Sequence, residues 1–245
     1  MNETIRLLKS HRSIRRFKPD PVPDEMARVI IETAQCASTS HHIQAYSIIR
    51  VDDPGMRKEL RRVSGDQQWV EKCPLLLMFC ADLDRPRRAC EKQGTRMAEG
   101  YAELFVIATV DAALAAQNTM IAAESLGLGG VFIGGMRNDP QTICELLDLP
   151  RLVYPVFGMC LGYPDESPGC KPRLPLDVVF KNERYDAAAD ADKIDSYDAV
   201  VNEYYRTRSA NSRDDNWTRQ IASMTEKPLR THMKGFLESR GFLLK

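Results

Sequence analysis

One segment limits the fold more than any other: LFVIATVDAALAAQNTMIAAESLGLGG, residues 104–130. A stretch this long and apolar either crosses a membrane or forms an interior helix. Asp111, Gln117, Asn118 and Glu124 interrupt it, so the pattern predicts a buried helix over about 98–126 and no membrane partner, with Gly127 as its C-cap. The rest of the chain must then supply the layers around that helix. AYSIIRV, CPLLLMFCA, GVFIGG and YPVFGMCLGYP read as strands, the second as a fully buried one. Helices are expected from Asn2, from Asp24, from Asp53-Pro54 and from Asp139-Pro140, where an acid or amide stands at the cap and, in the last two, proline at the first helical position. The expected fold class is α+β, a largely antiparallel sheet of about four strands wrapped by helices around the one long helix.

Beyond Pro164 the character changes. DESPGCKPRLP carries three prolines and must be extended, because each removes a donor and restrains the residue before it. Amphipathic pieces follow around 197–208, 216–224 and 229–238, without an apolar run that reads as a core of their own. The expected organisation is a core over 1–164 and an extension over 165–245 that lies across this core or a second subunit.

Composition removes several function classes. The 34 basic and 34 acidic residues cancel, so bulk charge gives no reason to expect nucleic acid or an anionic membrane. Seven cysteines, odd in number and without a Cys-x-x-Cys pair, argue against a disulfide framework or zinc ribbon and suit a reducing cytosol. The N-terminus lacks the apolar stretch of a signal peptide, and a cytoplasmic protein is expected. His41 and His42 are read as loop residues rather than metal ligands, and Asp82 and Asp84 with RPRR as a solvated charged loop. No Ser-His-Asp or paired-carboxylate set is present in the pattern, so no catalytic acid or base is assigned.

Against this neutral background, HRSIRRF at 11–17 gathers a histidine and three arginines. On a helical turn Arg12 and Arg15 would point the same way with Ser13 between them, a donor set that suits a phosphate; a solvated basic surface is the other reading. A second cationic pair, Lys171 and Arg173, sits in the rigid CKPRLP. In ESLGLGGVFIGGMRN, residues 124–138, the glycines follow a helix and flank a strand, the reverse of the dinucleotide-binding order. Helix capping at Gly127 and close packing at Gly129 and Gly130 account for the first three. Gly134 and Gly135 end the strand and leave the main chain open to a flat ligand. On these features alone, a non-enzymatic module binding a phosphorylated ligand remains an alternative.

HRSIRRF, QCASTSHHIQAYSIIRV, AAQNTMIAAESLGLGGVFIGGMRN and CKPRLP together resemble the FMN-dependent nitroreductase/flavin reductase family, in particular its NADPH-preferring oxygen-insensitive branch, in order and over essentially the whole chain. The resemblance implies FMN as cofactor, NADPH as co-substrate and an obligate homodimer whose extension embraces the partner. It implies two-electron ping-pong hydride transfer through flavin N5 to small flat acceptors such as nitroaromatics, quinones or flavins, or a flavin reductase that supplies free reduced FMN. It puts His11, Arg12 and Ser13 around the FMN phosphate and ribityl end, with Lys171 and Arg173 completing that clamp. Arg15 faces the N1/O2 side of the ring as electrostatic support, and Phe132, Ile133, Gly134 and Gly135 present main chain near N5. Thr39, Ser40 and Gln67 come from the partner subunit. Arg208 and Arg213, in YYRTRSANSRDD, match the pair directed at the 2′-phosphate of NADPH. The residues His41 and His42 depart from the small polar and aromatic or aliphatic pair usual in close relatives.

Overall fold

CPLLLMFCA folds as the predicted strand, and all of Leu75–Asp82 is buried. The computed structural model describes residues 1–208 and 211–245. In chain order the helices are α1 (Glu3–Lys9), α2 (Asp24–Gln35), α3 (Pro54–Val63), α4 (Gln68–Lys72), α5 (Asp84–Lys92), α6 (Ala102–Ser125), α7 (Pro140–Leu146), α8 (Leu176–Val179), α9 (Asp190–Thr207), α10 (Trp217–Thr225) and α11 (Met233–Ser239). The strands are β1 (Tyr46–Arg50), β2 (Leu75–Asp82), β3 (Gly129–Ile133) and β4 (Val153–Gly162). They form one sheet, ordered β1-β2-β4-β3, with every neighbouring pair antiparallel. The α+β architecture is the one expected.

Two compact units divide the chain. The first comprises Met1–Lys9, Ser13–Ser167 and Arg230–Lys245; the second comprises Ser10–Arg12 and Pro168–Leu229. In the first unit the strand period of two sends Leu75, Leu77 and Phe79 toward Ala116, Met120 and Ala123 of α6. Leu76 and Met78 face the other way, toward Leu60 and Val63 of α3, Val70 of α4 and Ile143 of α7. A register shift between Phe79 and Cys80 then brings both Cys80 and Ala81 into the cluster with Ala108, Ala112 and Ala115. With both faces covered, β2 has no room for a polar face, and this is why its sequence reads as a continuous apolar run.

Within the single chain, the long helix is enclosed on one side only. Alanines at 108, 112, 115, 116 and 123 let one side of α6 lie close on the sheet. The opposite side carries Val106, Val110 and Leu114, four residues apart and 49%, 48% and 42% exposed. One expectation fails: Asp82 and Asp84 do not sit in a solvated loop. Asp82 ends β2, accepts from Ser47 Oγ at 2.6 Å and pairs with Arg85 at 3.2 Å. Asp84 opens α5 and pairs with Arg87 at 2.5 Å and Arg88 at 2.6 Å. Both carboxylates are buried because each has several partners.

Asn2, Asp53 and Asp139 cap their helices as predicted, accepting from the amides of Ile5 (3.0 Å), Met56 (2.8 Å) and Thr142 (3.2 Å). Asp24 does not cap α2 but stands in its first turn, where its carboxylate pairs with Arg50 at 2.6 Å. The last stretch, Arg230–Lys245, counted with the extension in the sequence reading, packs within the first unit: Phe236, Leu237 and Phe242 join its core, and the Phe242 ring stands edge-on to Tyr154 at 5.1 Å.

The second unit does have a small core. Tyr197, Val201 and Tyr205 recur every four residues on one face of α9 and pack with Leu174, Tyr204 and Trp217. Its apolar residues are mostly aromatic and spaced along the chain, so they form no continuous run. The Tyr197 hydroxyl donates to the Pro172 carbonyl at 2.9 Å and ties the proline-rich segment to α9.

Candidate functional site

HRSIRRF is not a helical turn. Ile14 is buried, its amide donates to the Gly130 carbonyl at 2.9 Å, and Ser13 forms a parallel bridge with Gly130. Gly129 makes room for this: a Cβ there would lie 2.6 Å from Ile14 Cγ1. Seating one isoleucine on the sheet edge therefore forces an extended backbone. Arg12 and Arg15 do not gain the common direction that helical spacing would give them. The main-chain amides of Arg15 and Arg16 both donate to Glu166 Oε1, at 2.5 and 3.1 Å, and Arg16 pairs with Asp165 at 3.1 Å. The Arg15 guanidinium lies 5.8 Å from the Trp69 ring centroid. Among the described residues it has no carboxylate at ion-pair distance. Ser10–Arg12 groups with the second unit, so the motif itself crosses the division between the two.

Gly134 and Gly135 open a 3-10 turn, Gly134–Asn138, directly after β3. Their reasons for being glycine differ. A Cβ on Gly135 would collide with the Ser64 carbonyl and lie 2.9 Å from Gln67 Nε2. Internal packing therefore explains Gly135. A Cβ on Gly134 would meet only the end of the Arg137 side chain, at 3.5 Å. The main chain there is open. Gln67 donates from Nε2 to the Ser64 carbonyl at 2.6 Å and stands beside Gly135. Phe132 of β3 packs edge-on to Phe157, ring centroids 5.3 Å apart.

STSHHIQ forms a short 3-10 turn, Ser40–His42. Thr39 Oγ1 is enclosed and, among the described residues, has no hydrogen-bond partner. Ser40 Oγ lies 3.3 Å from His41 Nδ1. Among the described residues no group of three or more His, Cys, Asp or Glu side chains could hold a metal.

In the second unit three cations surround one buried ring. Lys171 Nζ, Arg208 Cζ and Arg213 Cζ lie 5.3, 4.7 and 4.2 Å from the centroid of Tyr205. Arg213 is already paired with Asp215 at 2.9 Å, whereas Arg208 donates from Nε to the Asn211 carbonyl, also at 2.9 Å. Among the described residues Arg12, Lys171, Arg173 and Arg208 have no carboxylate at ion-pair distance. Ser209 and Ala210 of the arginine loop lie outside the described residues.

The model of the nitroreductase family matches residues 8–163, and that of the family's C-terminal domain matches residues 171–245. The chain belongs to the nitroreductase family. It is 39% identical over 246 residues to the FMN reductase (NADPH) of Bacillus subtilis, covering 99% of each chain. It is 40% identical over 242 residues to the oxygen-insensitive NADPH nitroreductase of Salmonella typhimurium, again 99% of each. The solved NADPH:FMN oxidoreductase from Vibrio harveyi, complexed with NAD+, superposes with a TM-score of 0.91 at 38% identity, covering all of both chains.

This nitroreductase carries three buried or bonded groups near the candidate residues that the sequence reading passed over. Asp111 appeared only as a break in an apolar run, and Glu166 only as part of a proline-rich segment. Arg137, in GGMRN, is given no role by the sequence pattern. It is half-buried, donates to the Val156 carbonyl at 2.6 Å, and burial, followed by the charge of Arg230, pushes its pKa down. A lone acid inside an alanine-rich helix was the one available signal, for Asp111.

Proposed function

We infer that this protein is an NADPH-dependent FMN oxidoreductase that reduces flat acceptors, nitroaromatics, quinones or flavins, two electrons at a time. The observation that carries this reading is the full-length likeness, core and extension together, to relatives named for NADPH, FMN and nitro reduction. When bound, FMN supplies hydride acceptance and release.

The residues present fit that cofactor. Arg12, Lys171 and Arg173 belong to one unit and, among the described residues, have no carboxylate at ion-pair distance, which suits a phosphate; His11 and Ser13 flank Arg12 in sequence. The uncovered backbone at Gly134, with Phe132, Ile133 and Gly135 beside it, lets a flat ring approach closely. Gln67 serves the pyrimidine edge, its amide oxygen making no bond among the described residues. Arg15 supports negative charge on the reduced ring. Thr39 and Ser40 reach the flavin of the partner subunit, and Arg208 with Arg213 takes the 2′-phosphate of NADPH.

The homodimer is supported by exposed apolar surface on both units. Val106, Val110 and Leu114 form a stripe on α6, and Leu176, Val179, Phe180 and Tyr185 stand exposed on the extension. Val110→Asp should shift the protein to monomers in sedimentation and lower its flavin content per chain. A dimer of wild-type stability would show that the stripe is not the interface.

Purified protein should be yellow, and anaerobic NADPH should bleach it. A colourless protein that binds no FMN would remove the enzymatic reading and leave a phospholigand-binding module. Turnover of nitroaromatics, quinones and free FMN, compared side by side, separates a nitroreductase from a flavin reductase. The name of the Bacillus subtilis relative is the observation that keeps the second in view.

A further inference from the structure

A buried carboxylate sits within the apolar helix α6. Asp111 is 1% exposed. Its Oδ1 accepts from the amide of Ser40 at 3.1 Å and its Oδ2 from the amide of Ala45 at 3.0 Å. Among the described residues no cation lies at ion-pair distance from it. An acid this deep is costly unless its oxygens are hydrogen-bonded, and two amides of one loop supply those bonds.

The loop between those amides is strained. His41, His42 and Gln44 hold φ angles of 48°, 57° and 52°, left-handed values that side chains with a Cβ disfavour. None of the three is glycine; histidine tolerates this region better than most side chains, but three such residues within four positions still carry a conformational cost. Such conformations persist only where the surroundings over-determine them. Here one carboxylate grips the loop at both ends, and Arg85 Nη1 donates to the Gln44 carbonyl between them at 3.1 Å.

We propose that Asp111 is a positioning residue for the flavin site: it holds Ser40–Ala45 in the strained shape that presents Thr39 and Ser40 to the cofactor and sets His41 and His42 at its margin. This rests on the reading that the loop contributes to an FMN site. Because Asp111 adjoins Val110, the same helix turn that carries the exposed stripe also fixes the loop.

The test is FMN titration of full-length apo protein, followed by quenching of flavin fluorescence. Asp111→Asn keeps the size but turns one acceptor into a donor facing an amide N–H. Its FMN Kd should rise about tenfold. Gln44→Gly removes one left-handed penalty, so the double variant should return to within about threefold of the wild-type Kd. A role confined to core stability would not be rescued by a glycine in an exposed loop position. Wild-type affinity in Asp111→Asn, or no recovery in the double variant, would overturn the proposal. Ser40→Ala tests the reading beneath it. If Ser40→Ala binds FMN weakly while Asp111→Asn binds normally, the proposal fails and the site stands; if both bind normally, both fail. Should Asp111→Asn not fold, hydrogen exchange on the wild-type protein decides. The amides of Ser40 and Ala45 should exchange slowly and more slowly still with FMN, and free exchange at both would overturn the pin.

Discussion

Arg15→Ala should slow reduction of the bound flavin by NADPH about 10²-fold, the scale expected for losing one donor aimed at developing charge. The substitution is clean for a structural reason. The backbone at Arg15 is held by Glu166 through the main-chain amides, and the adjacent Ile14 is anchored on Gly129 and Gly130. None of those contacts uses the guanidinium, which lies 5.8 Å from the Trp69 ring centroid. Removing it therefore takes away charge without loosening the strand. Stopped-flow reduction at saturating FMN is the measurement, with the FMN Kd determined alongside. An unchanged reduction rate would sink the role given to Arg15. A lost flavin would instead place Arg15 with the phosphate set.

Arg208→Ala should raise KM for NADPH by about ten- to a hundredfold, the worth of one charged hydrogen bond of about 1.5–3 kcal/mol, and leave NADH nearly untouched. Arg208 rests on Tyr205 at 4.7 Å and is held by a neutral carbonyl, so its charge is available to a phosphate. Arg213→Ala should cost less, because its guanidinium already faces Asp215 and a phosphate has to compete for it. Because these contacts hold the coenzyme equally before and during reaction, kcat at saturating NADPH should change little. Steady-state kinetics with both coenzymes checks this. Equal losses with NADPH and NADH would assign Arg208 to packing on Tyr205, and coenzyme preference would need another source.

Signals carried within a few residues were legible in the sequence by itself. Asp53-Pro54 and Asp139-Pro140 start helices because a cap and a pre-set φ act locally. The unbroken run at 75–82 forms a strand buried on both faces, and the ordered motifs from HRSIRRF to CKPRLP carried the resemblance to the family. What tertiary structure alone decided depends on partners far along the chain. HRSIRRF is extended because Ile14 packs on Gly129 and bonds Gly130, and no residue near it in sequence indicates that. Asp82 is buried because Ser47, 35 positions away, meets it, and Asp111 because Ser40 and Ala45, 71 and 66 positions away, do. Hydrophobic periodicity shows that α6 is apolar but not which side meets the sheet. Small alanines could approach the strands, and that left Val106, Val110 and Leu114 outside. Periods and caps are properties of the local backbone, whereas burial of a charge is a property of whatever the fold brings against it.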